Sequence, residues 1–112
     1  MPQPTDRTAP DQALDALIDD AFDSASTPPP QERCEELNRQ LRAAIGNLYL
    51  ATQQAQAGVE EYSRDWWRYR NLLLDTDYVL EEELNTGLAA AIHVAALARQ
   101  AQALRNALEG PR

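Results

Sequence analysis

One histidine and one cysteine, with eighteen acidic side chains, two tryptophans and four tyrosines, are the groups with which this 112-residue chain could do chemistry. His93 and Cys34 stand far apart, and no H-x-x-x-H, C-x-x-C or Glu-x-x-His spacing accompanies them. A metal centre or a di-iron carboxylate site is therefore not legible. There is no G-x-S-x-G and no glycine-rich phosphate loop. Glu60-Glu61 and Glu81-Glu82-Glu83 are runs of carboxylates, but neighbours on a helix point about 100° apart and cannot share one proton. No catalytic residue, cofactor or metal ligand is assigned, and the chain reads as a non-enzyme.

Three features carry more information. Asp77 falls in register with Leu73, Leu80 and Leu84, so it is expected on a buried stripe, paired with Arg70 or Arg105, the alternatives being a ligand-facing or a simply exposed side chain. His93 lies about 60° off the centre of its own apolar stripe. It is expected to hydrogen-bond a neighbouring helix, the alternative being a pH-sensitive or ligand-binding role. Trp66-Trp67-Arg68-Tyr69-Arg70 is the most unusual local composition. Trp66 is expected to face the core with Tyr62 and Tyr69, whereas Trp67 falls with Leu74 and Tyr78 on a second stripe, to be covered either by the N-terminal helix or by another chain.

The elements that must position these residues are helices. The glycines are at 46, 58, 87 and 110 and the prolines at 2, 4, 10, 28, 29, 30 and 111, and the stretches between them favour helix over strand. Residues 1–8 read as a flexible lead. An acidic helix spans 9–25, begun by Thr8-x-x-Asp11 with Pro10 in its first turn, and carries Leu14, Leu17, Ile18 and Phe22 on one face. A proline-rich spacer covers 26–30. The bundle then occupies 31–109. Its first long helix, 31–57, repeats Cys34, Leu37, Leu41, Ile45 and Leu48. The second begins at Val59 or Tyr62 and runs to Leu84, and the third runs from Leu88 to Leu108, stopped by Gly110-Pro111. Short connections force antiparallel neighbours. The expected fold is all-α: an antiparallel up-and-down bundle of three long helices plus a short N-terminal helix. Leu41, Leu48, Trp66, Leu73, Leu80, Val94, Leu97 and Leu104 are its expected core.

All ten basic residues are arginine, and the formal charge is −8. That balance argues against binding nucleic acid or an anionic membrane surface, and serves solubility. The longest uncharged stretch, 84–98, is too short to cross a bilayer. The N-terminus lacks a basic segment followed by an apolar run, so cytoplasm is expected. Cys34 is expected to be buried and inert.

The run Trp66-Trp67-Arg68-Tyr69-Arg70 through Val79-Leu80, followed by Gly87-Leu88, Ala91-Ile92-His93-Val94-Ala95-Ala96-Leu97-Ala98-Arg99 and Ala103-Leu104, resembles a family of small actinobacterial proteins. The family is known as a domain of unknown function and is sometimes labelled a natural-product-biosynthesis protein. The resemblance covers about residues 33–108. It implies a helical fold and an actinobacterial source, and supplies no catalytic residues.

Three functions follow as expectations. The first is a helical interaction or accessory protein that forms a homodimer or serves a larger protein, with Trp67, Leu74, Tyr78, Leu14, Leu17, Ile18 and Phe22 at the interface. The second is a small-molecule-binding accessory protein of a biosynthetic pathway, with a pocket of Tyr62, Trp66, Tyr69, Asp77 and His93. The third is an acidic DNA mimic using the Asp15, Asp19 and Asp23 row.

Overall fold

The computed structural model describes residues 9–26 and 30–109. These contain four helices: α1 (Ala9–Ser26), α2 (Gln31–Ala57), α3 (Arg64–Glu81) and α4 (Gly87–Leu108). No strand occurs among the described residues. The fold is the all-α bundle that the periodicity predicts. The lead, Thr8, Pro28, Pro29 and the Gly110-Pro111 stop lie outside the described residues.

Leu37, Leu41 and Ile45 turn the inner face of α2 into a fully buried ridge, with Cys34 at its start. Burial, helped by neighbouring Glu35, pushes the Cys34 thiol above its ordinary pKa, away from thiolate reactivity. Opposite stands α4, whose buried face is mostly alanine: Ala90, Ala91, Ala95, Ala98 and Ala101, with Val94, Leu97 and Leu104. Small side chains let helices approach closely, and α4 packs against all three of the others. It is the central helix, as an apolar circumference requires.

The short α1 lies on α4 and touches α2, but makes no contact with α3. Leu14, Ile18 and Ala21 are buried in the central cluster, and Leu17 and Phe22 pack at its edge. Two ion pairs fasten the helix, Asp15 to Arg105 of α4 at 2.5 Å and Asp20 to Arg33 of α2 at 2.6 Å. Of the four apolar α1 positions expected at an intermolecular interface, Leu14 and Ile18 are buried within the chain and Leu17 and Phe22 are partly buried.

Helix α3 differs most from expectation. It begins at Arg64, where the Ser63 hydroxyl accepts the Trp66 backbone N–H at 3.2 Å. Tyr62 has φ +66°, a left-handed conformation that cannot continue a helix. The helix ends at Glu81, three residues before Leu84. There the Arg42 side chain donates to the Leu80 carbonyl at 3.0 Å and to the Glu82 carbonyl. The main apolar cluster is built from α1, α2 and α4, with Leu72, Val79 and Leu80 of α3 against its rim. Leu73 is buried outside that cluster, and Trp66 is only half-buried. The single core expected to include both is thus a three-helix core with α3 laid on its side.

Candidate functional site

The buried ridge of α3 runs through Tyr69, Leu73 and Thr76. From Leu73, a step of three reaches Thr76 and a step of four reaches Asp77, and either leads on to Leu80. The structure buries Thr76 completely and leaves Asp77 exposed. A hydroxyl can satisfy itself locally: Thr76 donates to the Leu72 carbonyl at 2.8 Å and accepts Gln100 Nε2 at 2.8 Å. A carboxylate there would be costly to desolvate. Asp77 instead lies beside the Tyr49 phenol of α2, and Arg105 is engaged with Asp15. The expected buried Asp77–Arg105 pair is corrected accordingly. Burial, then the Asp77 carboxylate beside it, pushes the Tyr49 phenol above its ordinary pKa. Thr52 of α2 is buried in the same way, donating to the Leu48 carbonyl at 2.7 Å.

His93 is buried at the junction of α2, α3 and α4, and its Nε2 lies 3.0 Å from an Arg42 nitrogen. A guanidinium has no acceptor, so Nε2 accepts and the ring proton of the neutral imidazole resides on Nδ1. Nδ1 is buried without a hydrogen bond, 3.6 Å from a Glu82 carboxylate oxygen. Desolvation and then the Arg42 charge hold the imidazole below its ordinary pKa, against an opposing pull from Glu82. At neutral pH the ring is uncharged. Arg42 is anchored further by the Asn38 side chain at 2.9 Å, so one arginine closes α3, orients His93 and ties three helices together. The expectation that His93 hydrogen-bonds a neighbouring helix holds.

Beside His93 lies a cleft of about 370 Å³, lined by Glu82, Glu83, Asn85, Ala89, Ile92, His93 and Ala96. Tyr62, Trp66, Tyr69 and Asp77 are absent from it. The aromatic residues start at the other end of α3, roughly 20 Å away along the axis at 1.5 Å per residue. The five-residue pocket expected from sequence is not assembled. Tyr62, Trp66 and Trp67 form a cluster of their own. Trp66 and Trp67 meet edge-on with centroids 4.8 Å apart, and Tyr62 stands 4.9 Å from Trp66. The two tryptophans, expected on separate faces, touch because large rings reach around the helix, and Tyr62 is exposed rather than inward. Among the described residues no group of three His, Cys, Asp or Glu could hold a metal ion, and no helix is long and apolar enough to cross a membrane. Of the acidic row on α1, Asp15 is tied to Arg105.

The second stripe of α3 stands open. Trp67 and Leu74 are each 48% exposed and Tyr78 is 75% exposed. Arg68 lies 5.2 Å over the Tyr69 ring and pairs with Asp65 at 3.4 Å. On α4, Leu88 and Ile92 are exposed.

The described residues thus form a small helical bundle with a latched histidine and an open aromatic face. A family of unknown function, DUF6415, matches residues 12–112, and the chain belongs to it. Among curated proteins and among solved structures, nothing matches.

Proposed function

We propose that this is a non-enzymatic helical interaction protein of the cytoplasm, working through the outer face of α3. The observation that carries the reading is the destination of α1. That helix spends its apolar face on α4 and α2 and leaves Trp67, Leu74 and Tyr78 uncovered. Large aromatic and aliphatic side chains bordered by arginine are the composition of interface hot spots. A solvent-facing stripe of this kind costs solubility unless another polypeptide covers it. The latched His93, neutral and with its Nε2 engaged by Arg42, supports a structural role for the polar cluster.

The test is a photo-crosslinking residue placed at Asn71, on the α3 face, and separately at Arg39 of α2, in the native host. Protein crosslinks from position 71 that disappear with Trp67→Asp, and none from position 39, are expected. Equal yields from both positions, or none from 71, would end the reading.

A further inference from the structure

The occupant of the α3 face is written in the order of its charges, if that face is the working surface proposed above. At about 100° per residue, Trp67, Leu74 and Tyr78 lie within about 20° of one line. Arg68 and Asp75 border the line on one side, about 80–100° around, and Arg70 and Asp77 on the other, about 60–80° around. All seven side chains are exposed. Each flank therefore carries a cation in the N-terminal half of α3 and a carboxylate in the C-terminal half.

The positions are also symmetric. Trp67 and Tyr78 stand equally far from the midpoint between Leu72 and Leu73. So do Arg68 and Asp77, and so do Arg70 and Asp75. We infer that a second copy of this chain docks antiparallel on the outer face of α3, about a twofold axis passing between Leu72 and Leu73. A twofold contact uses the same patch on both copies, so the patch must complement itself. Rotation about this axis lays Trp67 on the partner's Tyr78 and Leu74 beside its own image. Antiparallel helices meet flank to like flank, which brings Arg68 toward the partner's Asp75 and Arg70 toward the partner's Asp77. The axial offset of each pair is two residues, about 3 Å, within the reach of an arginine. A parallel copy would instead place Arg68 against Arg70 and Asp75 against Asp77, like against like.

The contacts inside the chain are compatible with this. Asp77 lies beside the Tyr49 phenol and Arg68 already pairs with Asp65, yet a carboxylate has about four acceptor sites and a guanidinium about five donors. One helix face of 18 residues makes a small interface, so the dimer is weak and reversible.

The experiment is sedimentation velocity on the full chain at ~100 μM, a concentration suited to a small interface. The variants are Arg68→Asp/Arg70→Asp and Asp75→Arg/Asp77→Arg, checked for native helix content by circular dichroism. The wild type should sediment as a dimer, each variant alone as a monomer, and their equimolar mixture as a heterodimer. A monomeric wild type overturns self-pairing. Variants that stay dimeric alone, or a mixture that stays monomeric, overturn the antiparallel register. Trp67→Asp then separates the two failures: if it dissolves a dimer that both charge variants keep, the α3 face is the interface and the pairing is wrong. Crosslinks from position 71 to a different protein, and never to a second copy, likewise overturn self-pairing while the interaction reading stands.

Discussion

Thr76 is sealed at the contact of α3 with α4, and its hydroxyl uses both of its roles there, donating to Leu72 and accepting from Gln100. Thr76→Val keeps the shape but removes the shorter of the two acceptors of the Gln100 amide, leaving the Leu72 carbonyl at 3.4 Å, so a loss of about 1 kcal/mol is expected in a urea melt. Asp77→Asn, on the exposed neighbour, should stay within about 0.5 kcal/mol. If the two variants melt alike, the buried ridge of α3 has been assigned to the wrong step. Helical spacing could not choose between these residues, since both fall in register with Leu73 and Leu80; desolvation of a carboxylate chose. His93 carries the second expectation at this scale. In the unfolded chain it protonates near 6.5, and in the fold it protonates lower because burial and Arg42 oppose the cation. Between those two values the unfolded chain binds more protons, so this contribution is complete above about pH 6.5 and shrinks as the pH falls below it. Urea midpoints of the wild type should drop between about pH 7.5 and 5.5 by more than those of His93→Gln, which accepts from Arg42 and does not titrate. Equal drops would remove His93 as a source of acid sensitivity.

Helices announce themselves by repeats of three and four, which is why all four elements were legible and α2 was placed at 31–57 as found. The ends of α3 were not legible, because their causes are not periodic. Tyr62 leaves the helical region of backbone space, and Arg42 closes the far end from 38 residues earlier in the chain. Nor could periodicity say which apolar face α1 would cover, since that is a competition between distant surfaces. The structure gives it to α4, with Ile18 3% exposed at the contact. Ile18→Ala should therefore cost about 2–4 kcal/mol in a denaturant melt. The loss should not depend on protein concentration, because the helix packs on its own chain; a loss that grew on dilution would mean α1 is exchanged between copies. Gly46 offers a gain instead. It sits exposed inside α2, and a Cβ there would meet nothing within 4 Å. Gly46→Ala should raise stability by up to about 1 kcal/mol through helix propensity alone.

At the scale of the molecule, a slab 20 Å thick carries a charge of −8, and self-pairing must work against that charge. Two such copies about 25 Å apart would repel by roughly 10 kcal/mol in water without salt. A screening length of about 30 Å at 10 mM ionic strength leaves nearly half of that, whereas about 8 Å at 150 mM leaves less than a tenth. The arginine–carboxylate pairs at the rim of the α3 contact are exposed and individually weak, so they cannot offset repulsion of this size at low salt. They set orientation, and the Trp67–Leu74–Tyr78 stripe supplies the attraction. Raising the salt from about 10 to 150 mM should consequently strengthen the dimer, the reverse of what an interface held by ion pairs would do. Sedimentation equilibrium at the two ionic strengths reads this directly as a fall in the dissociation constant. A constant that rises with salt would mean the rim pairs hold the copies together and the aromatic stripe contributes little, and Trp67→Ala would then leave the dimer intact.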